Sequence, residues 1–159
     1  MIDTQLLGGL PRTEDPDPRV MEAVDELPYA AEDRDLAVAL ARRALRIDPA
    51  RVEALLVLAE HALTAVERIA ILKEVLAVYR RQVAAGQVGE ITSNRDPGAK
   101  SVLAALSMLG DELVEVGDRE GAMACLRIVV ELDVDDRLGC RAALEELEGE
   151  GRRRSVWGR

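Results

Sequence analysis

The side chains able to do chemistry are few and scattered. His61 is the single histidine, and one imidazole is too little for a transition-metal site or a conventional triad. It reads as a residue on a helix surface. Ser101 and Ser107 fall in a stretch of helical periodicity, not on the sharp strand-to-helix turn that exposes a nucleophile. Cys125 and Cys140 sit on the apolar stripes of helices; two thiols so placed form neither a disulfide framework nor a zinc site and read as small core residues. Carboxylates are abundant, but along amphipathic helices they serve to keep a face wet, and abundance alone does not define an acid–base pair. Neither glycine-rich phosphate-binding pattern occurs. The expectation is a protein without catalytic residues, cofactor or metal, which acts by binding and is not an enzyme.

Composition narrows the partner. With 159 residues the chain suits one domain, burying roughly 70% of the surface its unfolded form exposes. It contains no Phe, one Trp and two Tyr, so Leu, Ala, Val and Ile must fill the interior, as in closely packed helices. A net charge of −9 argues against general affinity for nucleic acid or for anionic membranes, both of which require clustered cations. No apolar run approaches the roughly 18 residues of a membrane span, and the start MIDTQLLGGLPRTEDPDP carries no basic leader. The expected location is the cytoplasm.

The elements that would position a binding surface are helices. Residues 1–17 combine Pro11 and Pro16 with Gly8, Gly9 and several acids, a mixture that reads as a flexible N-terminal arm. Weak periodicity at Val20, Val24 and Leu27 ends at Pro28. A clear helix is predicted over 33–47, with Leu36, Leu40, Ala41, Ala44 and Leu45 inward and Arg42, Arg43 and Arg46 near its end. Asp48-Pro49 closes it and opens a second helix carrying Val52, Leu55, Leu58, Ala59 and Ala62. Thr64-Ala65-Val66-Glu67 is a capping box that restarts the chain as a third helix running to about residue 85. Two glycines within 86–94 predict a loop. Asp96-Pro97 reads as an N-cap and first-turn proline for a helix running through Gly110 to about 116, and a partner follows over 118–132. Asp135 and Asp136 would cap a final helix with the stripe Cys140, Ala143, Leu144 and Leu147. The globular part is thus 18–149, followed by a disordered basic tail over 150–159. Its Arg152, Arg153, Arg154 and Trp157 read as a solubilising terminus.

Leu106, Leu109, Gly110 and Leu113, then Gly117 at a turn, then Ala122, Leu126 and Val129 form a pattern that resembles the tetratricopeptide repeat, a 34-residue helix-turn-helix that stacks on copies of itself. A mid-helix glycine costs roughly 1 kcal/mol against alanine, which gives Gly110 a reason only if two helices cross closely there. Ala59 holds the corresponding place one repeat earlier. The resemblance implies three repeats, at about 18–51, 52–85 and 103–136, with the 86–94 loop interrupting strict periodicity and the last helix sealing the stack. It therefore implies an all-α, right-handed superhelical stack of TPR-like hairpins.

In proteins similar to this one the first helix of each repeat lines a concave surface. The positions implied here are Glu53, Leu56, Glu60 and Leu63, then Ala104, Ser107, Asp111, Val114 and Glu115. Such an apolar groove with an acidic border suits a basic protein or peptide with apolar anchors, held by a noncatalytic adaptor. The carboxylate clamp of the chaperone-binding branch is not expected, because Glu22, Glu26, Val57, Ala104 and Met108 stand where its donors would be. The alternative is self-assembly into a homodimer through a leucine-rich helical face.

Overall fold

The computed structural model describes residues 33–157, and for 150–157 the backbone only. The expected N-terminal arm, the weak element around Val20 to Leu27, and Glu22 and Glu26 lie outside the described residues. Six helices and no strand occur among those that are described: α1 (Arg34–Ile47), α2 (Val52–Glu60), α3 (Ala65–Ala84), α4 (Ala99–Glu115), α5 (Arg119–Leu132) and α6 (Cys140–Trp157). The all-helical class expected from the sequence is therefore present. No helix among the described residues is long and apolar enough to cross a membrane.

Local chemistry sets most helix ends. Asp33 caps α1 by accepting from the Leu36 amide at 3.0 Å. Thr64 caps α3, accepting from the Glu67 amide at 3.1 Å, and the Glu67 carboxylate returns to the Leu63 amide, one residue further back than in the usual reciprocal box. α4 ends in a Schellman motif. Gly117, at φ +82°, donates to the Val114 carbonyl, and Asp118 donates to that of Leu113. The Asp118 carboxylate then accepts from the Gly121 amide at 3.0 Å and starts α5.

Four boundaries differ from expectation. Pro49 stands in a turn before α2, because the Asp48 carboxylate accepts from Ala50 and its carbonyl from Arg51, so the helix begins only at Val52. α2 stops at Glu60 as its last turn tightens, which leaves Ala62 and Leu63 beyond the helix. Asp96 does not cap α4. Its carboxylate turns back to the Thr92 and Ser93 amides at 2.6 and 2.9 Å, and Gly98 at φ +80° occupies the cap. Those hydrogen bonds, the Thr92 amide first, hold the Asp96 carboxyl below its ordinary value. Lastly, α6 continues past Gly149 to Trp157. Glu and Arg are good helix formers, and cations in a last turn are favoured by the helix dipole, so Gly151 does not suffice to end it.

Packing is between successive helices, with a further contact of α2 on α4. The main core runs from Val52, Leu55 and Ala59 through Leu72, Val75 and Tyr79 to Val102, Leu106, Leu126 and Val129. A second, alanine-rich cluster of Ala37, Leu40, Ala41, Ala44 and Ala54 joins α1 to α2. Ala143, Leu144 and Leu147 pack on the main core beside the buried Cys140, so the α6 stripe seals the end as expected. Ala59 is fully enclosed, and Gly110 is buried where α4 crosses α5. A Cβ on Gly110 would stand 3.0 Å from Leu126 Cδ2 and 3.1 Å from its Cγ. Leu126 is 1% exposed, so its side chain has little room to yield.

Gly110→Leu should therefore destabilise the fold by about 1–3 kcal/mol in urea unfolding, despite its gain in helix propensity. Combined with Leu126→Ala it should cost less than the sum of the two single changes.

Candidate functional site

The residues expected to line a groove lie on α2 and α4, which touch. Both helices run in the same direction, because each packs antiparallel to α3. Glu60 and Leu63 therefore share an end of the stack with Asp111, Val114 and Glu115, whereas Glu53, Leu56 and Ser107 lie further along. Leu56 is partly buried against the core, Glu60, Asp111 and Glu115 are exposed, and Leu63 is 78% exposed on the turn after α2. Two of these side chains already have partners. Glu53 pairs with Arg51 at 3.1 Å, and Ser107 Oγ lies 3.2 Å from Cys140 Sγ at the start of α6. Partial burial first, and then the neighbouring Glu112, push the Asp111 carboxyl above its ordinary value.

The shared end is held by a residue that the sequence did not single out. Arg68, on the second turn of α3, donates from Nε to the Ala59 carbonyl at 3.1 Å and from one terminal nitrogen to the Ala62 carbonyl at 3.0 Å. Its other terminal nitrogen pairs with Glu112 of α4. One planar guanidinium thus closes the C-terminal end of α2 and ties it to α4, which an ammonium could not do with the same fork geometry. Arg34 adds a bond to the His61 carbonyl at 3.1 Å. His61 accordingly serves through its backbone. The pattern Thr64-x-x-x-Arg68 contains no signal for this role, because the acceptors, two carbonyls at and just past the end of α2 and a carboxylate of α4, all lie outside α3.

The opposite end has its own tie. Asp133, only 2% exposed, accepts from Asn94 Nδ2 at 2.7 Å and from the Leu138 amide at 2.9 Å. Burial by itself would raise its carboxyl, but these bonds outweigh that and hold it below the ordinary value. A cavity of about 380 Å³ beside it is lined by Asn94, Lys100, Leu103, Asp133, Arg137 and Leu138.

A second cavity, of about 390 Å³, opens between α3 and α5 over α4. It contains none of the residues expected to line the groove. The buried Cys125 lies on its wall, where burial foremost, aided by Asp118 and opposed by Lys73, pushes the thiol up to about 11. At neutral pH that thiol is protonated and acts as a small apolar surface, not a nucleophile. Among the described residues, no three His, Cys, Asp or Glu side chains converge in a way that could hold a metal ion. No family model and no curated protein matches this chain.

Arg68→Ala is expected to lower stability by about 2–3 kcal/mol, because it uncovers two carbonyls and leaves the mostly buried Glu112 without its partner. Arg68→Lys should recover only part of that loss in thermal unfolding.

Proposed function

We propose that this chain is a noncatalytic adaptor of the tetratricopeptide-like kind, acting in the cytoplasm, which holds a basic protein or peptide against the α2–α4 face. The observation that carries the reading is the close crossing at Gly110 and Leu126, echoed by the fully buried Ala59. Small contact points at corresponding places in successive hairpins are what a stack of similar units requires. The direct contact of α2 with α4 further supports a layer of first helices. Along that layer, Leu56, Leu63 and Val114 would supply anchors, while Glu60, Asp111 and Glu115 would steer cations toward them. Ser107 would contribute only its unshared side, because Cys140 covers its hydroxyl.

Replacing Glu60 and Asp111 by lysine should abolish capture of a basic amphipathic peptide in titration calorimetry while leaving the thermal midpoint nearly unchanged. Unaltered affinity in the double variant would remove these residues from the binding surface.

A second reading is a symmetric homodimer, favoured by exposed Leu36, Leu63, Val66, Val114 and Val116, which the helix directions gather at one end of the stack. Patches of this kind, when contiguous, mark association surfaces. Light scattering over a dilution series should then give a mass that doubles with concentration. A constant monomer mass removes this reading.

A further inference from the structure

In a chain of net charge −9, three consecutive cations occur in one place, Arg152 to Arg154, and Val156 and the single tryptophan, Trp157, follow them. The nearest carboxylate is Glu150. The backbone of this stretch belongs to α6, which runs as helix to Trp157. Residues four apart are neighbours along a helix, so Val156 stands one turn beyond Arg152 and Trp157 one turn beyond Arg153.

The α2–α4 face carries the complementary order of groups. Glu60 is followed three residues on by Leu63, and Asp111 three and four residues on by Val114 and Glu115. All five are exposed, Leu63 at 78% and Val114 at 42%, and none of the three carboxylates is ion-paired with a described residue. A cation and then an apolar group on one side thus meet an anion and then an apolar group on the other. Position agrees as well. Glu148 of α6 pairs with Arg127, further back along α5 than the Leu132 end from which the chain enters α6, so α6 runs antiparallel to α5. Its C-terminal end lies where α5 begins and α4 stops, which is also the end that carries Glu60, Leu63 and Glu115. Within one copy, however, α6 is held along α5, whereas α2 packs on α3 and α4. The stretch does not cross α4 to reach the α2 of its own chain.

We infer that the basic segment received by the α2–α4 face is residues 152–157 of a second copy, exchanged reciprocally about a two-fold axis at that end of the stack. This rests on the α2–α4 reading and names its occupant. Because segment and face share an end, a single two-fold rotation docks both at once, which gives a closed pair and not a filament. The pair also covers Leu63, Val66, Val114 and Val116, all exposed at that end. The arginines set register and encounter rate against the carboxylates, and Val156 and Trp157 supply the anchors.

Trp157 makes the test direct, since the single tryptophan reports on this segment alone. Full-length protein is diluted while light scattering reads its mass and fluorescence reads the tryptophan emission. The mass is expected to halve, and the emission to shift to the red, over the same concentration range. A full-length variant with Arg152→Glu, Arg153→Glu and Arg154→Glu, its fold checked by circular dichroism, should dissociate at a concentration roughly tenfold or more higher. Adding Glu60→Lys and Asp111→Lys to that variant should restore the pair, because charge is then reversed on both sides. A dimer that the arginine reversal leaves intact, an emission that does not follow mass, or failure of the combined reversal to restore the pair overturns the inference. So does an enclosed tryptophan in a constant monomer, which would place the segment on its own copy. Capture of an added basic amphipathic peptide scores the face separately. The arginine variant, its face unoccupied, should capture that peptide more tightly than the wild type. A monomeric wild type that captures it sinks the exchange and leaves the face standing, whereas equal capture by the Glu60→Lys, Asp111→Lys variant sinks the face itself.

Discussion

The stack depends on how near α4 can lie to α5. At Gly110 the missing side chain lets the Leu126 isobutyl group rest directly against the α4 backbone, at a distance where even a methyl would be crowded. Such an approach maximises dispersion contacts in a core that contains no phenylalanine and must gain its density from aliphatic groups. It also fixes the depth of α4 between its neighbours. Were α5 to stand off, α4 could not keep Leu106, Leu109 and Leu113 buried while also meeting α2 and α3. The same economy of volume recurs between α1 and α2, where Ala37, Ala41, Ala44 and Ala54 face one another.

Close packing leaves the helix ends as the places where polar groups must be satisfied. A few side chains do this for several helices at once. Arg68 serves α2, α3 and α4, Asp118 and Gly117 turn α4 into α5, and Asp133 gathers the loop at Asn94 and the approach to α6. Tyr79 shows the contrary case, a fully enclosed hydroxyl that finds no hydrogen-bond partner. On the sides of the helices the polar contacts are exposed pairs, Arg127 with Glu148 between α5 and α6 and Arg81 with Glu74 along α3.

Helix existence was legible in the sequence because it rests on local periodicity and on caps such as Asp33, Thr64 and Asp118, whose partners lie within one turn. The buried stripes, including Cys125 and Cys140 as core residues and the packing of α6, followed from the same periodicity, except at the start of α1, where Leu36, expected inward, is 48% exposed and Ala37 is buried instead. What was not legible was set by competition or by distance. Asp96 had two local sets of amides to choose from, those of α4 ahead and those of Thr92 and Ser93 behind, and the loop took the carboxylate. Arg68 acts on carbonyls and a carboxylate from other elements, so nothing adjacent in the chain announces it. For the candidate surface, residue types were readable, but the commitment of Ser107 to Cys140 could not be read before the helices were assembled.

Charge is consequently sorted by face. Around α4, the positions Ala104, Ser107, Asp111, Val114 and Glu115 point roughly opposite to Leu106, Leu109 and Leu113, since each residue turns the helix by about 100°. The first set carries the exposed Asp111 and Glu115, whereas the second, 1–6% exposed, is enclosed between α3 and α5. One helix thus divides a wet, acidic side from an apolar, enclosed one, which is what its amphipathic pattern encodes.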